Sequence, residues 1–402
     1  MRKIKIGMFG RIVLAILGGV VLGLALMHLG GVGGVGLRVL KTFNVLFAQV
    51  LKFIVPLLIL GLVTPSIADA GKGAGRLLVT VMVFSYFSTC AASLFAYFAS
   101  GHLLPLYIEK GAVAAAGKGL EILPYVDIKI PPLCDVLTAL ALAFMIGVGA
   151  IVTGSRGMKR WFEEFGEIVK LTIMKVVIPG LPIYILTMIC EMTASGKIGA
   201  MAGTMFKVIG TGWALTIVFL VLLYLLAGLI ARRNPLLCLW NMGPAYLTAL
   251  SIASSSAVIP VTLECCEKNG VSKDIRNFVV PLCANVHMVG SAIKMIASTL
   301  AVVIIYDLDV SLGQVVHFTF MFAIAAVAAP GVMCGVLMAS VGFVESILGL
   351  SPEQISVMMT FYMALDGYGP AANVTGDGAI ALVCNRLFGR HLPTDERMDL
   401  VH

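Results

Sequence analysis

An all-α polytopic membrane protein is the fold class that this sequence predicts, and three observations predict it. Of the 402 residues, 59% are hydrophobic and only 12% are charged, where soluble domains carry roughly 25% charged residues. Apolar runs of about 20 residues, the length that crosses a bilayer as a helix, recur from one end of the chain to the other. None of these runs breaks into the short alternating segments of a membrane barrel.

The first run, 10–29, follows "MRKIKIGMFGR". It has the charged flank of a signal peptide but no small-residue cleavage site before a polar segment, so it is expected to stay as a helix. Further spans are expected at 43–70, 78–101, 133–153, 166–191 and 206–231. Regions 234–269, 272–306 and 311–388 are as apolar but are interrupted by polar and small residues. Lys and Arg collect in cytoplasmic loops. Here they cluster at Arg2-Lys3-Lys5, Lys72/Arg76, Arg156/Lys159/Arg160, Arg232-Arg233, Lys268/Lys273/Arg276 and Arg386/Arg390, and none occurs from Met295 to Asn385. Six spans from a cytoplasmic N-terminus return "ARRNP" (231–235) to the cytoplasm. The apolar piece between it and "CCEKNGVSKDIR" (265–276) then enters and leaves on one side, as a re-entrant hairpin. The piece between "DLDV" (307–310) and "ESILGLSPEQ" (345–354) does the same from outside. Each hairpin precedes one spanning helix.

The expected topology is eight transmembrane helices plus two re-entrant helical hairpins in inverted repeats, an arrangement typical of secondary transporters. A short echo between "ANVHMVG" (284–290) and "ANVTGDG" (372–378) fits it. Residues 102–131 form the one long extramembrane loop. Both termini are expected in the cytoplasm, and the protein in the plasma membrane, the inner membrane of a prokaryote.

Other signals exclude function classes. The net charge of +7 belongs to membrane-flanking loops and predicts no nucleic-acid partner. The nine cysteines are scattered without a C-x-x-C, which predicts reduced thiols rather than disulfides or a metal site. The G-x-G-x-x-G string at Gly31–Gly36 has no strand before it, so no nucleotide is expected there. Gly19-xxx-Gly23 suits helix packing. Serines 254–256 have no base nearby in sequence, so no enzyme is expected.

The richest segment is "YMALDGYGPAANVTGDGAIALV" (362–383). Asp366, Asn373 and Asp377, spaced by seven and eleven residues, share a helix face. Ionisable groups in a span cost about 2.5–3.5 kcal/mol each and face a pathway or partner. No Arg or Lys stands within eight residues, so Na⁺, a proton or a substrate ammonium must supply the countercharge. Gly367, Gly369, Pro370, Gly376 and Gly378 are expected to loosen the helix and free carbonyls. In the first hairpin "SIASSSAVIP" (251–260) offers hydroxyls and helix ends that attract a carboxylate. In the second, "AAVAAPGVM" (325–333) is small and uncharged, as a gate requires.

"SSSAVIPVTLE", "VPLCANVHMVGSA" and "ALDGYGPAANVTGD", in this order and spacing, resemble the dicarboxylate/amino acid:cation symporter family, which includes archaeal aspartate transporters and mammalian excitatory amino acid transporters. The resemblance is strong over 235–390 and looser at "LKFIVPLLILGLV" (51–63). It implies a glutamate-transporter-like elevator fold and a homotrimer in the lipid bilayer. The scaffold would be 1–75 and 132–195, with the extracellular loop at 102–131. The transport domain would be 76–101 together with 196–390, and 391–402 a cytoplasmic tail. By position, Ser254, Ser255 and Ser256 would meet the α-carboxylate of an amino acid, Asp366 its ammonium, and Asn373 would bond nearby. Gly369 and Ala329 of the outer hairpin would complete the substrate site. Asp377 and Asn373 would hold one sodium, and Met288 with carbonyls of the outer hairpin a second. No cofactor beyond coupling Na⁺ is implied.

The departures carry information. Acidic-substrate members have an Arg three residues after the Asp or just before the serines; here these places are Gly369 and Ala253. An unpaired buried carboxylate is heavily penalised, so a small neutral amino acid is the expected substrate. The family's Asn-Met-Asp-Gly-Thr reads His287-Met288-Val289-Gly290-Ser291. The third-helix positions read Phe87, Cys90 and Ala91, which offer little oxygen, so a third sodium site is expected to be absent. His287 or Lys294, seven residues on, could replace a sodium electrostatically. Three alternatives stay open: a sodium-independent, proton-linked or exchange-only carrier, an acidic amino acid or dicarboxylate symporter, and a substrate-gated anion channel.

Overall fold

A computed structural model describes residues 8–70, 75–115, 122–126, 128–196, 198–329, 335–364 and 367–389. Among the described residues there are helices and short links but no strand. Asp366, the hairpin tip 330–334, Lys72, Arg390 and the tail lie outside them, as do the three charges of the N-terminus.

Helix α1 (Met8–His28) and α2 (Gly30–Ala70) meet at Leu29. The corner closes because Gly33 has no side chain: an ideal Cβ there would lie 1.8 Å from the Leu26 carbonyl oxygen. The G-x-G-x-x-G string is therefore the helical start of α2, thirteen residues before the expected span. Helix α3 (Gly75–Leu103) leads to a short α4 (Ala112–Ala115), and α5 (Val136–Thr153) follows, with Asp135 accepting a capping bond from Thr138 N–H at 2.9 Å. Helix α6 (Arg156–Thr172) runs through a π turn at Ile173–Val177 into α7 (Ile178–Ala194). Gly19 and Gly23 lie against α7: added Cβ atoms would stand 2.7 Å from the Leu186 oxygen and 2.6 Å from Thr193 Cβ. That face is for packing, as its spacing predicts.

After α8 (Ile198–Ala231) comes the first helix–turn–helix, made of α9 (Pro235–Asn241), α10 (Gly243–Ile252) and α11 (Ile259–Lys268). The chain reverses at Ala253, whose φ is +56°. Next are α12 (Lys273–Val286) and α13 (Val289–Ile305), collinear in sequence but separated at His287-Met288. The second helix–turn–helix is α14 (Leu312–Ala328) and α15 (Gly335–Leu348), followed by α16 (Pro352–Ala364) and α17 (Tyr368–Phe388). Ser311 with Gln314 and Ser351 with Gln354 form matching reciprocal caps at the starts of α14 and α16. Such caps satisfy donors that a helix start leaves open.

Six helical stretches among the described residues are long and apolar enough to cross a membrane. Five coincide with expected spans. The expected span at 133–153 qualifies only as a shorter apolar helix, Ala141–Thr153, and the sixth stretch is Lys273–Ile305. Helices α1, α2, α5, α6 and α7 pack chiefly on one another, whereas α3, α8 and α10–α13 pack against α17, α14 packs chiefly on α15 and α3, and α16 chiefly on α13. Nearly all of α13 and α17 is buried.

The glycines of α17 do not loosen it. The helix is continuous from Tyr368 to Phe388, with Pro370 in its first turn, where no intrahelical N–H is needed. The glycines instead let neighbours approach. An added Cβ would lie 2.6 Å from His287 Cε1 at Gly376 and 2.6 Å from Tyr224 Oη at Gly378. On α13, Gly290 sits against α17, where a Cβ would lie 2.4 Å from the Gly369 oxygen. Gly290→Ala is therefore expected to cost about 1–3 kcal/mol by overpacking. Gly203→Ala, whose Cβ meets nothing within 4 Å, should be neutral or slightly stabilising. Thermal unfolding of both variants in detergent checks the contrast.

Candidate functional site

The site is built where α12 stops. His287 is extended, with φ −106° and ψ 104°, and α13 restarts at Val289. A restart frees backbone N–H groups, which hydrocarbon cannot satisfy. Asn373 of α17 takes two of them: its Oδ1 accepts from Gly290 N–H at 2.8 Å and from Ser291 N–H at 3.3 Å. Its Nδ2 donates to Ser291 Oγ at 3.1 Å and to Met288 Sδ at 3.2 Å. From α3, Thr89 Oγ1 accepts from Met288 N–H at 3.4 Å. Asn373 caps α13 from another helix, and its side-chain oxygen has no lone pair left for an ion.

One turn along α17, Asp377 meets His287. His287 Nδ1–H donates to Asp377 Oδ1 at 3.0 Å, and Ser88 Oγ lies 3.1 Å from Nε2. Both side chains of the pair are fully buried. Gly376 makes the approach feasible, since a side chain there would strike the imidazole. Asp377 Oδ2 is buried and has no hydrogen-bond partner among the described residues. Of the two groups expected to hold a sodium, Asp377 keeps one open oxygen and the Asn373 side chain keeps none.

Lys294 is 1% exposed. Its Nζ lies 3.8 Å from the centroid of the Tyr362 ring, a cation–π geometry. It also covers Gly369, where an added Cβ would lie 3.1 Å from Nζ. An ammonium thus fills the neighbourhood in which the resemblance puts an arginine. In the first hairpin, Ser255 is buried at the reversal, Ser254 is half-buried, and Ser256 Oγ donates to Asn285 Oδ1 at 3.4 Å. Helix α10 reaches the start of α17: a Cβ on Gly367 would lie 2.9 Å from the Leu250 oxygen. Ala329, at the end of α14, is buried. Asp366 lies outside the described residues.

The third-helix positions differ from the expected ones. Phe87 is 60% exposed and Ala91 is also exposed. The residues that reach the break are Ser88 and Thr89, so this face of α3 does offer oxygen. A one-residue shift turns a helix by about 100°, enough to exchange a lipid-facing ring for a buried hydroxyl. The signal was present: Ser85, Thr89 and Ser93, all fully buried, recur every four residues.

Residues 8–387 match the sodium:dicarboxylate symporter family. The chain belongs to that family. It is a family of membrane transporters, in keeping with the apolar helices and the buried carboxylate. The chain is 31% identical over 278 residues to excitatory amino acid transporter 3 of Mus musculus, a match covering 66% of this chain and 51% of that protein. It is 29% identical over 276 residues to the Homo sapiens protein of the same name, with the same coverage. To excitatory amino acid transporter 1 of Rattus norvegicus it is 27% identical over 260 residues, 63% of this chain and 47% of that protein. The chain spans about half the length of these relatives.

The capping and pairing bonds make two predictions. Asn373→Ala leaves buried N–H groups unsatisfied and should lower stability by about 1–3 kcal/mol, read from unfolding in detergent. His287→Ala and Asp377→Ala should each be strongly destabilising, by about 3–5 kcal/mol where a buried partner is left alone. The double variant should lose clearly less than the sum, a non-additivity that marks direct contact.

Proposed function

We propose that the protein is a secondary active transporter that moves a small neutral amino acid across the plasma membrane by an elevator motion, as part of a homotrimer. The bundle of α3 and α8–α17 is the part that moves, and α1, α2 and α5–α7 form the scaffold. The observation that carries this reading is the fully buried His287–Asp377 pair with one open carboxylate oxygen. Family membership implies sodium as a carried ion. Asp377 Oδ2 suits a monovalent cation, and it is the oxygen that would take one. The neighbouring Oδ1 already has a protein N–H donor, and Val289 supplies no ligand. Coupling therefore uses fewer sodium ions than a site set with two acids here. The substrate lies between the hairpin tips, its carboxylate met by Ser254–Ser256 and its ammonium by Asp366. A zwitterion brings no net charge into this core.

A second reading is favoured by one observation, the Lys294 ammonium over Gly369. It offers a cation to a substrate's second carboxylate, and the relatives are transporters of excitatory amino acids. In that reading the substrate is an acidic amino acid or a dicarboxylate.

Uptake into proteoliposomes separates the readings, using alanine, serine, aspartate and succinate with Na⁺ and pH gradients varied independently. Alanine or serine uptake without aspartate uptake is the expected result. Aspartate uptake abolished by Lys294→Met would replace it with the second reading. Binding that survives Asp366→Asn would remove that residue from the ammonium site. For the ion, His287→Asn combined with Val289→Asp restores the family's acid and amide. That variant should gain more thermal stability from added Na⁺ than the unaltered protein does.

A further inference from the structure

A cavity lined by three arginines lies outside this site, where the chain leaves α8. It has a volume of about 380 Å³, and its lining includes Arg232, Arg233, Gly270, Ser272, Asn385 and Arg386. Pockets of roughly 300–1,000 Å³ are the size that holds small ligands. Three stretches far apart in sequence meet here: the end of α8, the link from α11 to α12, and the end of α17.

The frame of the cavity satisfies itself. Asn385 Nδ2 donates to the Gly270 carbonyl at 3.3 Å, and its Oδ1 accepts from Ser272 N–H at 3.0 Å. Asn269 is buried, donating to the Cys238 carbonyl at 3.0 Å and accepting from Asn241 Nδ2 at 2.9 Å. The nearby Arg276 is paired with Glu267 at 2.8 Å. By contrast, among the described residues no hydrogen bond or ion pair engages the guanidinium groups of Arg232, Arg233 and Arg386. The backbone makes room for them. Gly270 has φ +75°, and a Cβ on it would lie 3.0 Å from Arg233 Nη2. Arg232 itself has φ +55°, a conformation that costs a non-glycine residue energy and clusters at functional positions.

The three arginines, all exposed, line one cavity, and each carries a planar set of donors suited to phosphate oxygens. A monocarboxylate would answer only one of them. The positive-inside rule assigns all three arginines to the cytoplasmic face. In the last two turns of α8, before Arg232, Leu226, Leu229 and Ile230 are 58%, 76% and 40% exposed, an apolar face suited to lipid. We propose that this cavity binds a phosphomonoester group, carried either by an anionic lipid headgroup or by a small soluble phosphate. Its occupant ties the ends of α8 and α17 to the α11–α12 link. This inference is independent of the transported substrate.

The test is the thermal unfolding midpoint of the full chain in detergent, titrated with inorganic phosphate and, separately, with dioctanoyl phosphatidic acid. Dioctanoyl phosphatidylcholine is the zwitterionic control. A saturable rise in midpoint is expected from at least one of the two phosphate probes. Its half-saturation concentration should increase about tenfold or more in Arg233→Gln and Arg386→Gln, and stay unchanged in Arg156→Gln, a cytoplasm-assigned arginine outside the cavity. Response to phosphate identifies a soluble ligand, and response to phosphatidic acid alone identifies a headgroup. No saturable rise from either probe overturns the proposal. So does an equal loss in Arg156→Gln, or an equal rise with phosphatidylcholine.

Discussion

A helix that stops inside hydrocarbon must find partners for the backbone groups it frees, and the centre of this protein is organised around that constraint. The interruption between α12 and α13 exposes N–H groups at Met288, Gly290 and Ser291. Thr89 of α3 and Asn373 of α17 take them. Three helices are therefore held in register by side chains that cannot move independently of the break. Glycine at 290 and 376 allows the backbones to come close enough for these bonds. The same closeness brings His287 onto Asp377. The polar cluster is at once a structural staple and, among the described residues, the one place where a buried carboxylate keeps an open oxygen.

What the sequence made legible is what depends on length and local order. Apolar runs, the helix pairs α10–α11 and α14–α15 and the Gly19-Gly23 packing face all follow from one-dimensional patterns, and the structure has them, with the run at 133–153 present only as a shorter helix. Local charge misled at α6, whose Lys and Glu residues hid a helix continuous with α7. Composition misled at α17, where glycines that suggested a loosened helix serve close approach to α13, His287 and Tyr224. The α3 hydroxyls were missed by one register step.

The site was legible as a set of residues rather than as a geometry. Asn373 and Asp377 stand out from their own segment, yet their partners Gly290 and His287 lie more than 80 positions away. Nor does spacing show that Lys294 covers Gly369. Neither Gly369 nor Ala253 supplies an arginine, and the side chain that lies over Gly369 is a lysine of α13. Countercharge in a membrane core is a property of the assembled bundle rather than of one helix.

The exchange of an ion for a side chain changes what a carrier can do. A carried ion is released on one face and taken up on the other, so its gradient drives accumulation, about 1.4 kcal/mol for each tenfold ratio. An N–H group that stays on its carboxylate travels out and back with the moving bundle and performs no net work. It still removes the penalty of moving a bare buried charge through lipid. Under the proposed function, His287 would keep the crossing feasible while lowering the steepest gradient that can be sustained. Asp377 Oδ2, the one carboxylate oxygen left open among the described buried residues, is on that proposal an atom through which a remaining ion gradient acts.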